Sequence, residues 1–73
     1  MIKRYMLSKT NYRTILPQII SSIQSNEKII LEISIDEHYM INDIIKYLRH
    51  YGLSVVYGDN NNEIIRLLVV KRD

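Results

Sequence analysis

The spacing of apolar residues changes several times along the chain, and each change marks an element. Residues 2–7, Ile2-Lys3-Arg4-Tyr5-Met6-Leu7, mix apolar and basic side chains over a strand-like length before the polar break Ser8-Lys9-Thr10-Asn11, and predict a short first strand. From Thr14 to Gln24, the residues Ile15, Leu16, Ile19, Ile20 and Ile23 recur at the spacing of one helical face, with Gln18, Ser21, Ser22 and Gln24 opposite. Pro17 is compatible with this helix if Thr14 is the N-cap, because the proline then falls in the first turn, where its missing N–H has no partner to lose.

After Ser25-Asn26-Glu27, the stretch Lys28 to Ile35 alternates, with Ile29, Leu31, Ile33 and Ile35 on one side and Ile30, Glu32 and Ser34 on the other. That predicts a strand with one wetter face. A second helix is expected from Tyr39 to Tyr51, turning Ile41, Ile44, Ile45 and Leu48 inward, with Gly52 as its stop. Leu53–Tyr57 and Glu63–Lys71 are predicted as a hairpin around Gly58-Asp59-Asn60-Asn61-Asn62, residues that tolerate positive φ. The order β-α-β-α-β-β implies a two-layer α/β sandwich: a four-stranded mixed sheet with both helices on one face. In the last strand, Ile64-Ile65-Arg66-Leu67-Leu68-Val69-Val70 is apolar on both alternating sets. Such a strand is either central in its sheet or faces a second subunit.

Composition sharpens this picture. Seventy-three residues suit one domain spanning 1–73, and a chain this short gains from a disulfide, a metal or a partner subunit. No cysteine is present, so the first is excluded and a homodimer becomes attractive. The net charge of +2 is too mild to mark a nucleic-acid binder by itself, although Lys3, Arg4, Lys9 and Arg13 all precede the first acidic residue, Glu27. No apolar run approaches the roughly 20 residues that cross a bilayer, and Met-Ile-Lys-Arg-Tyr lacks the apolar stretch of a signal peptide. The expectation is a cytoplasmic protein with no membrane partner.

The layout resembles the TusA/SirA-like family of small sulfur carriers. The likeness rests on the first helix, the strand Lys28-Ile29-Ile30-Leu31-Glu32-Ile33-Ser34-Ile35, the acidic break at Asp36, a second helix near Asn42-Asp43-Ile44, Gly52, and a hairpin ending in Val70-Lys71-Arg72. The resemblance implies a two-layer βαβαββ fold over nearly the whole chain. Family members carry Cys-Pro-X-Pro where the first helix begins, and the helix N-terminus there favours a thiolate or persulfide. Here the stretch reads Thr10-Asn11-Tyr12-Arg13-Thr14-Ile15-Leu16-Pro17, so the lost-cysteine position holds Asn11 or Thr14. Neither side chain can carry a persulfide. The same element order occurs in Alba-like chromatin proteins and in the C-terminal domain of translation initiation factor three, but the loop Asp59-Asn60-Asn61-Asn62 has no cation to enter a groove.

The candidate chemistry is correspondingly sparse. His38 and His50 offer no zinc spacing, no serine has a nucleophile-elbow context, and Gly52 and Gly58 make no phosphate loop, so no catalytic, metal or cofactor residue is assigned and no enzyme is expected. Asp36, Glu37 and His38 suit a helix start better than a ligand site, and His50 suits a helix end. Tyr39, Tyr47 and Tyr51 along the second helix fit a protein contact or a core edge. The leading expectation is a non-enzymatic binding or regulatory domain that works through protein-protein contacts, as a homodimer or with another protein. The alternative is a small nucleic-acid-binding protein using Lys3, Arg4, Lys9, Tyr12 and Arg13 on the first strand and loop.

Overall fold

The last strand, apolar on both faces, lies inside the sheet with a neighbour along each edge, while only one of its faces is covered by helices. In the computed structural model, which describes residues 2–72, strands β1 (Lys3–Leu7), β2 (Lys28–Ser34), β3 (Leu53–Asn60) and β4 (Ile64–Lys71) form one sheet in the order β1-β2-β4-β3. β1 pairs parallel with β2, while β4 lies antiparallel between β2 and β3. A parallel neighbour cannot be reached by a tight turn. Helix α1 (Tyr12–Ser22) therefore connects β1 to β2, and helix α2 (Ile41–His50) carries the chain from β2 to β3, leaving a gap that β4 fills.

Alternation in the strands decides which residues the helices cover. Leu7, Ile29, Leu31, Ile33, Val55, Ile65, Leu67 and Val69 point one way, and they form a single buried cluster with Leu16, Ile19 and Ile23 from the first helical segment and Ile41, Ile44 and Leu48 from α2. Both helices thus lie on the same side of the sheet, in the expected two-layer α/β arrangement. No buried side-chain nitrogen or oxygen lacks a hydrogen-bond partner among the described residues, and none of the described helices is long and apolar enough to cross a membrane.

Several boundaries differ from expectation for local reasons. Helix α1 begins at Tyr12, not after a cap at Thr14: the Asn11 carbonyl accepts from the Ile15 amide at 2.9 Å, which makes Asn11 the N-cap. Pro17 consequently lies inside the helix, where it cannot donate to the Arg13 carbonyl. Both residues are exposed, so the pyrrolidine ring meets no core and solvent can reach that carbonyl. The helix stops at Ser22 rather than Gln24, because Ile23 is already extended and dives into the core.

Ile35–Met40 forms a 3-10 helix ahead of α2, capped by the Ser34 hydroxyl, which accepts from the Asp36 amide. Asp36 and Glu37 lie in its first turn as expected for a helix start, and His50 lies in the last turn of α2. The terminal hairpin is tighter than its sequence suggested. β3 runs on to Asn60 through an irregularity after Tyr57, and Asn61 makes the turn by accepting the Glu63 and Ile64 amides on its side-chain oxygen. That side chain replaces positive-φ geometry: among the described residues only Asn26 and Gly52 have positive φ, at 65° and 85°. Gly52 is the expected left-handed stop after α2.

Candidate functional site

The loop between β1 and α1 is held by its own polar side chains. Asn11 accepts the Ser8 amide at 2.7 Å and donates to the Met6 carbonyl, and Glu37 accepts the Lys9 amide at 2.6 Å. These bonds fix the first turn of α1 against the 3-10 segment that leads into α2. Tyr12, Arg13 and Leu16 then line one wall of a groove whose other wall is Asp43 and Tyr47, enclosing about 390 Å³. The groove continues for about 310 Å³ beneath Lys9, Tyr39 and Met40.

Arg13 is exposed, sits 5.7 Å from the Tyr12 ring centre and donates to the Tyr12 hydroxyl at 3.3 Å. Its pKa is raised, first by that hydrogen bond and then by the neighbouring Tyr12 and Asp43 charges. Burial pushes the Tyr47 phenol up, and Tyr51, whose ring centre is 5.1 Å away, adds to the shift. Among the described residues neither Lys9 nor Arg13 makes an ion pair, and no acidic residue lies in the first turn of α1.

The basic set expected to act together is divided. Lys9, Tyr12 and Arg13 meet in the groove. Lys3 lies at the other end of β1, paired with Glu27 at 3.5 Å, and Arg4 points to the opposite side of the sheet with Ile30 as its register partner. Alternation explains the split, since consecutive strand residues cannot share a face and a five-residue strand separates its ends. Of the lining residues not expected with this set, Asp43 had a signal, since it is four residues from both Tyr39 and Tyr47; Leu16 and Met40 had none beyond their apolar character. Of the lost-cysteine candidates, Asn11 occupies the helix cap and Thr14 the helix interior.

The second surface is the side of the sheet without helices. Across it run Ile30, Leu68 and Val56 in one row of paired residues, with Val70 beside them; Val56 is 51% exposed and Met6, at the edge, 50%. Arg66 stands at one end, 3.1 Å from Glu32 and 3.3 Å from Asp59, and its pKa is raised by those two hydrogen bonds. Two carboxylates around one guanidinium leave that end negative. Lys28, exposed and paired with Val70, makes the other end positive, and the exposed Arg4 extends the Ile30 row at the sheet edge.

The Asp36, Glu37 and His38 grouping is used structurally. Glu37 holds the Lys9 amide, His38 Nδ1 lies 3.0 Å from the Ile35 carbonyl, and no group of three metal-ligating side chains gathers among the described residues. Of the tyrosines expected on the second helix, Tyr39 precedes α2 in the 3-10 segment and Tyr51 caps its end, so only Tyr47 is within it. Comparison with protein-family models, curated proteins and solved structures finds no match to this chain.

Proposed function

We propose that this chain is a cytoplasmic, non-enzymatic protein-contact domain that works as a homodimer, two copies meeting through the sheet faces that carry no helices. The observation that carries the reading is the pattern on that face: an apolar row of Ile30, Leu68 and Val56, with Arg4 at its sheet edge, between a row holding Lys28 and Val70 on one side and a negative end at Glu32 and Asp59 on the other. A two-fold axis in the plane of the interface and perpendicular to the strands sets the positive end of each copy against the negative end of the other. Isologous interfaces need this self-complementarity. A standard interface removes about 800 Å² from each partner, which one face of a chain exposing 4962 Å² can supply. Pairing would also enlarge a core that is small for an independent domain.

The layout resemblance to TusA/SirA-like proteins fits a shared scaffold put to a different use. Of the two candidates for the family's cysteine position, Asn11 caps α1 and spends its amide on loop hydrogen bonds, and Thr14 lies within the helix. Sulfur transfer has no carrier here.

Light scattering or sedimentation across a concentration series tests the dimer. The wild type should approach twice the monomer mass, and Val56→Asp should return it to monomer mass with its circular dichroism unchanged, because Val56 already tolerates solvent in the single chain. A wild type that stays monomeric at the highest concentration, or a Val56→Asp dimer, removes the proposal.

A further inference from the structure

We infer that the groove between the starts of α1 and α2 is a binding site for a nucleotide unit, the base lying among Tyr12, Leu16 and Tyr47 and the phosphate reaching Lys9 and Arg13. The groove belongs to the helical layer, so it remains accessible whether or not two sheet faces pair. The inference is therefore independent of the dimer.

The division of the groove carries the assignment. Its inner part presents two phenol rings and a leucine, surfaces against which any base can stack with little sequence preference. The second part brings Lys9 within the same lining as Arg13 and Tyr39, and neither cation makes an ion pair among the described residues, Asp43 being the carboxylate that shares their lining. Of the other cations, Lys3 pairs with Glu27 and Arg66 with Glu32 and Asp59, so these two are not available to an anion in the same way. Arg13 stands at the junction of the two parts, stacked near Tyr12, where a guanidinium can serve the ring on one side and a phosphate on the other.

Asp43 is the residue that selects against a simple anion site. It lines both parts of the groove, and an ionised carboxylate only accepts hydrogen bonds. Inorganic phosphate gains nothing from it and is repelled. A nucleotide has something to offer it, because ribose hydroxyls and exocyclic amines are donors. Aromatic rings, an acceptor carboxylate and two cations around one groove answer to the base, the sugar and the phosphate of a nucleotide. Mononucleotides and single-stranded RNA or DNA share this chemistry.

Backbone amide NMR titrations with AMP, CMP, GMP and UMP, run beside inorganic phosphate, test the site, and fluorescence anisotropy with labelled single-stranded 12-mers separates its sources. Mononucleotides at low salt should shift the amides of Lys9, Tyr12, Arg13, Asp43 and Tyr47. Arg13→Ala, at an exposed position, should weaken binding about tenfold, the amount expected for one charge-assisted contact. Val56→Asp should leave it unchanged. Binding that tightens tenfold or more from mononucleotide to 12-mer, and falls as salt rises, identifies a single strand as the ligand; equal affinity identifies the free nucleotide. Equal shifts with inorganic phosphate, shifts that map to the sheet, indifference to Arg13→Ala, or no shift with any nucleotide would each overturn the assignment.

Discussion

The two faces of this sheet are built from the same four strands, often from adjacent residues, and both are rich in aliphatic side chains. On the helical side Ile29, Leu31, Ile33, Leu67 and Val69 are completely buried; on the other, Ile30, Leu68 and Val70 are half-buried and Val56 is about half exposed. The chemistry of the residues is nearly constant while their surroundings are not. Hydrophobic stabilisation scales with the area withdrawn from water. Ile33 and Ile30 therefore contribute differently, although they share one strand and one side-chain type. The uncovered face also carries the cluster of Arg66, Glu32 and Asp59 within its strands, whereas the pair of Lys3 and Glu27 stands at the rim of the covered one.

The largest effect should come from cutting the same side chain on each face in turn. Leu67→Ala removes a fully buried leucine from the core and should cost ~2–5 kcal/mol in urea unfolding. Leu68→Ala, one residue on, should cost less than ~1 kcal/mol when the protein is dilute, since the side chain is partly hydrated already. At concentrations that favour dimer the second figure should grow toward the first. Equal losses at every concentration would erase the distinction between the faces.

Adjacent leucines with different fates mark the boundary of what the chain makes legible. Alternation in Lys28–Ser34 and the helical spacing of Ile41, Ile44 and Leu48 follow directly from burial on one side, so element types and the two-layer α/β fold can be read from the residues. The doubly apolar β4 left two explanations open, and both its central position and its uncovered outer set are present. Boundaries were less visible, because side chains close turns that periodicity does not see. Asn11 displaces Thr14 as the cap of α1, and Asn61 shortens the hairpin loop. The groove was half legible: Lys9, Tyr12 and Arg13 are close in sequence, but their meeting with Asp43 and Tyr47 depends on how two helices pack.

A smaller effect separates the charged end of the uncovered face from its apolar centre. Glu32→Gln removes the closer carboxylate from Arg66 but leaves Asp59 in place, so dilute protein should lose only ~0.2–1 kcal/mol, less as salt rises. Were the face covered by a second copy, the guanidinium would be cut off from water and its lost partner harder to replace. The same substitution should then cost several times more at high protein concentration. Guanidinium-free urea melts at two protein concentrations, each with and without added salt, measure this directly. A loss that is independent of protein concentration would mean that this end of the face stays wet.

The smallest effect belongs to the rim of the covered face and is read with pH. Glu27 accepts the Gln24 amide at 2.9 Å and lies 3.5 Å from Lys3, and these contacts hold its carboxyl below the ordinary value of 4.5, the backbone hydrogen bond contributing most. A carboxylate whose pKa is lower in the folded chain stabilises that chain while it is ionised in both states. The contribution is therefore complete above the unfolded value, shrinks as pH falls below it, and is gone once the folded carboxyl is also protonated. Glu27→Gln keeps an oxygen for the Gln24 amide but cannot ionise. Its melting temperature should lie slightly below that of the wild type at neutral pH, and the gap should close as the solution is taken below pH 4.5. A gap that stays constant down to full protonation would assign Glu27 a packing role and leave the charge of the covered face's rim without effect on its stability.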